Sequence, residues 1–176
     1  MKTLRIILNS AYVRGLIGQA LFTLLGIGFI NAIRTGMGLE ATLLTEPSVV
    51  FGAVLGVPGF LLFSGVFTDW FKWIVGAKTP LKHGAPEGKP EWSRYLNVDV
   101  NHKVIGIQYG YTSLLVLLVG GLFAIIFRIE LSQPGMQWLT NDQYNTLFSA
   151  HGIVMIASIL LGVGAMVNYL APLMIG

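Results

Sequence analysis

Four stretches of this chain, 15–33, 49–68, 105–127 and 147–170, contain no Asp, Glu, Lys or Arg. Each is long enough to cross the ~30 Å hydrocarbon core of a bilayer as a helix. No water reaches that core, so a crossing backbone must satisfy its own hydrogen bonds, which a helix does within one segment. The rest of the composition agrees: the 176 residues are 54% hydrophobic and 11% charged, against about 25% charged in soluble domains. A fold of this size has too little interior to hide that much apolar surface from water. The expected fold class is therefore all-α, a polytopic membrane protein with four transmembrane helices. The absence of cysteine excludes a disulfide scaffold. The net charge of +3 is spread between apolar blocks, which argues for charged membrane loops and against a nucleic-acid partner. Lys2 and Arg5 precede the first stretch as in a signal peptide. Its apolar run is longer than a signal core and no small-residue cleavage site follows, so a retained helix is expected.

The loops set a direction. Lys2, Arg5 and Arg14 flank the first helix, and Lys72, Lys78, Lys82, Lys89, Arg94 and Lys103 lie in segment 69–104. The two opposite connections hold only Arg34 and Arg128. The basic excess places both termini and the long segment on the cytoplasmic side. Pro80, Pro86 and Pro90 make that segment read as a solvated connector. Trp70, Trp73, Trp92 and Tyr95 on one side, with Trp138 and Tyr144 on the other, fit interfacial belts. Residues 1–104 thus read as an N-terminal transmembrane hairpin plus a basic cytoplasmic linker, and 105–176 as a second hairpin. Gly52-x-x-x-Gly56 and Gly106-x-x-x-Gly110 allow close backbone approach. At 100° per residue Gly110, Leu117, Gly121, Ala124 and Arg128 share one line of the third helix, a stripe expected to face protein.

Chemistry-bearing motifs are few. There is no P-loop, Cys-x-x-Cys, His-Glu-x-x-His or nucleophile elbow. Of the three histidines, His83 and His102 lie in or beside the basic linker. His151 differs, because it sits about one turn inside the fourth apolar stretch, in LFSAHGIVMI. An ionisable side chain inside a span marks a functional site by default. Gly152 leaves room for a flat group, and Met155 follows one turn on, on the same face. Two readings stay open on these grounds: an axial haem ligand, or a histidine hydrogen-bonded to a neighbouring helix. No acid or base within a span pairs with His151, which weighs against a small transporter. His83 and His102 belong to the opposite side of the membrane, so a second haem ligand has to come from elsewhere.

Residues 101–176 closely resemble the start of subunit I of haem–copper terminal oxidases, the aa3/caa3-like cytochrome c oxidases. The resemblance is carried by Asn101-His102-Lys103 with Ile105-Gly106, FRIELSQPG at 127–135, YNTLFSAHGIVMI at 144–156 and NYLAPLMIG at 168–176. Residues 1–95 look like the extra hairpin that some bacterial members place before the first core helix. The resemblance implies a multi-pass subunit of the bacterial plasma membrane, part of a larger helical bundle. It implies electron transfer from cytochrome c or a similar donor to oxygen, coupled to proton translocation. It implies His151 as an axial ligand of the low-spin haem iron and Arg128 as the hydrogen-bond donor to the formyl group of haem A. Met155, read from its place on the same face as His151, is expected to pack against the cofactor ring. Glu130 and Gly135 match part of a peripheral calcium or sodium site, and Asn168 matches an asparagine near the mouth of a proton path. The implied partners are the remaining helices of subunit I, subunits II and III, the electron donor and membrane lipid.

Two departures stand beside that match. The proline that many members carry between His151 and Asn168 is missing, with slightly short spacing, and the recognisable motif ends at Gly176. Copper, the second haem and their ligands are expected outside this sequence, so oxygen reduction is expected only in the assembled enzyme. The alternative from another class is a non-catalytic four-helix membrane subunit that binds haem or lipid and stabilises a larger complex.

Overall fold

The computed structural model describes residues 2–42, 45–79 and 82–176. Pro80 of the basic connector lies outside the described residues. The described chain is helical: α1 (Lys2–Leu8), α2 (Ala11–Gly36), α3 (Glu46–Ser64), α4 (Val66–Ile74), a 3-10 turn (Glu91–Leu96), α5 (His102–Glu130) and α6 (Asn141–Ile175). Four of these, α2, α3, α5 and α6, are long and apolar enough to cross a membrane. The chain divides into two compact units, Met1–Leu43 with Pro47–Val104, and Leu44–Glu46 with Ile105–Gly176.

Burial is inverted relative to a water-soluble fold. Among the described residues the buried hydrophobic side chains are only Ala11 and Val104, whereas Ser48, Ser64, Ser93, Thr146 and Ser158 are buried. Leu24, Leu114 and Leu160 are each more than 60% exposed. Lipid is as apolar as leucine, so leucine gains nothing by turning inward and the helix contacts go to residues that permit close packing.

In the first unit that contact is glycine on glycine. A Cβ built on Gly26 would lie 2.9 Å from the Gly52 Cα, and one on Gly59 would lie 2.6 Å from the Gly18 carbonyl oxygen. Any side chain at these positions would force α2 and α3 apart. Ser48 donates to the Asn31 side-chain oxygen at 2.6 Å at the far end of the pair. The second apolar stretch, read as running to residue 68, ends earlier. Gly65 takes a left-handed φ of 89° and starts a separate nine-residue helix, α4. Only glycine adopts that conformation without strain, and the chain changes direction there.

The basic segment is not the solvated connector its prolines suggest. Residues 82–104 fold back on the start of α2, where the Ala11 N–H donates to Asn97 Oδ1 at 3.1 Å. The buried Asp99 carboxylate accepts from the backbone N–H of Gly84 at 3.1 Å and of Asn101 at 2.8 Å, and from Arg94 Nε at 3.1 Å. Burial pushes the Asp99 pKa up, but these N–H donors and the Arg94 guanidinium outweigh it and hold the carboxyl below its ordinary value. Side-chain acceptors thus replace a hydrophobic core in ordering this segment.

In the second unit α5 and α6 pack antiparallel through layers that repeat every seven residues in both helices. Gly106 meets Tyr169 and Ala165. Ser113 and Ser158 each donate to the other's carbonyl oxygen, at 2.8 and 3.0 Å. Gly120 meets Met155 and His151. Phe127 meets Tyr144, ring edge to face at 6.2 Å. Seven residues is about two helical turns, so each layer returns to the same face. The expected stripe is not the centre of this contact: Gly110 borders Ala165, whereas Gly121 has open space around it and Arg128 is exposed.

Candidate functional site

The connection between α5 and α6 determines which residues stand opposite one another. Glu130, the last residue of α5, is buried and accepts three backbone N–H groups. Gln137 donates to Oε1 at 2.6 Å, and Trp138 and Leu139 donate to Oε2 at 3.0 and 3.3 Å. Thr140 then begins α6 with a capping box: its hydroxyl accepts from the Gln143 N–H at 3.3 Å, and the Gln143 side chain accepts from the Thr140 N–H at 3.0 Å. One carboxylate and one cap therefore fix the length of the turn. Gly120 precedes Glu130 by about as many residues as His151 follows Thr140, so the two meet across the pair.

His151 consequently lies nearly three turns into α6, deeper than the single turn read from hydropathy, because α6 starts at Asn141. Its Nδ1 is 2.8 Å from the Gly120 carbonyl oxygen. A carbonyl can only accept, so Nδ1 donates in this contact, and the tautomer that matches it has its lone pair on Nε2. Nε2 makes no hydrogen bond among the described residues. Phe127 packs edge-on against the imidazole at 5.4 Å and 77°, which limits ring rotation. Phe127 also meets Phe148 at 5.7 Å, and Tyr144 stacks on Phe148 at 9°. Beside His151, a Cβ on Gly152 would meet nothing within 4 Å, so one side of the ring's backbone is open.

The other expected site residues are distributed around this point. Met155 lies one turn beyond His151, and its Sδ sits 2.9 Å from where a Gly120 Cβ would be. Arg128 is exposed and makes no hydrogen bond or ion pair among the described residues. It lines a groove of about 390 Å³ with Ala124, Ile125, Ile129 and Ser132. Gly135 stands in the turn organised by Glu130 with φ at 90°, and the Gln137 side chain donates to its carbonyl at 3.5 Å. Asn168 is remote from these. It donates to the Gly164 carbonyl of its own helix at 2.8 Å, roughly 25 Å along α6 from His151 by helical rise. No group of three or more His, Cys, Asp or Glu gathers as a metal site among the described residues.

Gly120 is the functional position that sequence reasoning missed. Gly120 and Gly121 are adjacent, and hydropathy gives no reason to prefer one over the other. The seven-residue spacing of Gly106, Ser113, Gly120 and Phe127 was the available signal.

Residues 104–176 match the family described as cytochrome c and quinol oxidase polypeptide I. Three curated relatives are each described as cytochrome c oxidase subunit 1. The protein of Synechocystis sp. is 44% identical over 87 residues, that of Corynebacterium diphtheriae 41% over 98, and that of Thermostichus vulcanus 41% over 88. These matches cover 49%, 53% and 49% of this chain, and in each case 16% of the relative. The chain thus corresponds to about one sixth of the length of the curated relatives it matches. No solved structure gives a significant match.

Proposed function

We propose, from the match of residues 104–176 to the cytochrome c and quinol oxidase polypeptide I family, that this chain is part of such a subunit and that His151 is an axial ligand of a low-spin haem in a terminal respiratory oxidase. The observation that carries this reading is the contact between His151 Nδ1 and the Gly120 carbonyl. Metal-ligating histidines characteristically donate their second ring N–H to a carbonyl or carboxylate, which fixes the tautomer and orients the ring. Here the donor set fits: one neutral imidazole with a free Nε2 lone pair, a phenyl edge limiting its rotation, and an open backbone at Gly152. When bound, the haem supplies one-electron transfer on the way to oxygen reduction.

The remaining residues take the roles that the resemblance to the oxidase family implies. Arg128 donates from its exposed guanidinium to a ring substituent, the formyl group if the cofactor is haem A. Met155 holds α6 against Gly120 and forms the apolar wall one turn beyond the ligand. Glu130 and Gly135 contribute two oxygens to a calcium or sodium ion. Calcium takes 6–8 oxygen ligands, so the others come from another part of the assembly. Asn168 lies at the entrance of a proton path on the side opposite His151.

The assembly itself is also a proposal. It comprises the remaining helices of subunit I, subunits II and III, copper and a second haem, with cytochrome c or a similar electron donor. It resides in a bacterial plasma membrane, with this chain's termini on the cytoplasmic side as the basic loops suggest. Pyridine haemochrome and copper analysis of the complex purified through this chain tests the proposal. Haem A or O together with copper supports an oxidase. Haem B without copper would favour a non-catalytic haem-binding subunit.

A further inference from the structure

The first unit, which carries none of the oxidase motifs before Asn101, contains a second concave site. A cavity of about 340 Å³, within the range of small-molecule sites, opens where the start of α2, the end of α3 and segment 82–98 meet. Its polar lining includes Arg14, Lys82, His83, Ser64 and Asn97, and no carboxylate lines it. Two nearby acids are already committed. Asp69 pairs with Lys82, and Asp99 binds Arg94, with His83 Nδ1 3.7 Å from its other oxygen. Arg14 is exposed, and its side chain makes no hydrogen bond or ion pair among the described residues. The cavity therefore carries one uncompensated guanidinium, whose planar fork matches a phosphate. Arg14 is the surplus charge.

The surroundings identify where such an anion comes from. The Lys82 wall is tied through Asp69 to α4. On α4, Val66, Phe67, Trp70, Phe71, Trp73 and Ile74 gather on one side, with Trp70, Phe71, Trp73 and Ile74 all more than half exposed, while Asp69 and Lys72 lie on the other. A helix of that pattern lies in the headgroup region with its aromatics toward the acyl chains. Ser64 of the cavity is the last residue of α3, whose surface is apolar and exposed below it. The cavity thus sits at headgroup level beside a surface suited to acyl chains.

We propose that this cavity binds the phosphodiester headgroup of an anionic phospholipid, with Arg14 as the charge that selects it. The reading concerns the first unit and does not rest on the haem proposal. The test uses the complex purified from membranes and delipidated, with lipid binding followed by native mass spectrometry. Phosphatidylglycerol is expected to bind about five-fold more tightly than phosphatidylcholine, the effect of one basic residue at a membrane surface. Arg14→Gln should abolish that preference with helical circular dichroism unchanged, and Lys78→Gln, which is exposed and outside the cavity, should leave it intact. If helicity falls in Arg14→Gln, Arg14→Lys carries the test, because it must keep the preference. Equal binding of the two lipids, or a preference that survives loss of the Arg14 charge, would overturn the proposal. Displacement of phosphatidylglycerol by millimolar inorganic phosphate would also overturn it, by showing a free-anion site.

Discussion

The imidazole Nδ1 of His151 lies 2.8 Å from the carbonyl oxygen of Gly120, so a helix backbone determines which ring nitrogen of the histidine is free. The relationship depends on the absence of a side chain at residue 120. A Cβ there would stand 2.9 Å from the Met155 sulfur and 3.3 Å from Val154 Cγ1.

Enlarging residue 120 should therefore act on the ligand from a distance. In Gly120→Ala the flexible end of Met155 can swing aside, and the histidine contact is expected to survive. Gly120→Val adds two further methyl groups to a Cβ already 2.9 Å from Met155 Sδ and 3.3 Å from Val154 Cγ1. That should displace α6, and overpacking costs about 1–3 kcal/mol. Thermal unfolding of the two variants checks the order, together with the low-spin haem absorption of the assembled complex. The Val variant should lose both stability and band intensity, and the Ala variant little of either.

Arg128 makes a different prediction, because its side chain has no hydrogen-bond or ion-pair partner among the described residues and is exposed. Arg128→Met should change stability by no more than about 0.5 kcal/mol, as for surface positions free of special contacts. The visible low-spin haem band should nevertheless shift to the blue with ligation intact, since a guanidinium hydrogen bond withdraws electron density from the ring. An arginine that only anchors the helix end would leave the band in place.

The Ser113–Ser158 exchange supplies a measure of the α5–α6 contact that is independent of haem. Each hydroxyl donates to the other residue's carbonyl. Hydrogen bonds between membrane helices average about 0.6 kcal/mol, with a maximum near 1.7. Ser113→Ala and Ser158→Ala should each cost about that much in detergent unfolding. The double variant should cost more than either single change.

These layers show how far the sequence was legible. The four crossing helices were readable because any charge in them would be costly, and their locations follow from the lack of charge alone. Their mutual rotation was not readable in the same way. A 100° wheel grouped Gly121 with Gly110 and Arg128, whereas the contact uses Gly120 with Gly106 and Ser113. Which glycine is used depends on the partner helix and on the length of turn set by Glu130, and neither is a property of α5 alone. His151 was found because it is ionisable in an apolar setting. Its anchor was missed because a backbone carbonyl carries no sequence signal.

Asp99 shows the same limit in the basic segment. Its partners Gly84 and Arg94 lie well before it in sequence, so the prolines were visible and the folded-back loop was not. Because the folded carboxyl titrates below its ordinary value of 3.8, the ionised form favours the folded loop. That stabilisation is fully present above the unfolded pKa and is lost as pH falls through the lowered folded one. Asp99→Ala removes it at neutral pH and strands two backbone N–H donors and Arg94 Nε, at a cost of about 1–3 kcal/mol. Hydrogen exchange across 82–104 should accelerate in the variant at pH 7, and in the native chain only in acid.

In the proposed site His151 ligates a haem iron through Nε2 while Gly120 holds Nδ1. Near-infrared magnetic circular dichroism of the assembled complex, native against His151→Leu, reads that ligation. A bis-histidine low-spin band is expected in the native protein and its loss in the variant, with α5 and α6 still folded by far-ultraviolet dichroism. An unchanged low-spin band in His151→Leu would contradict that ligation.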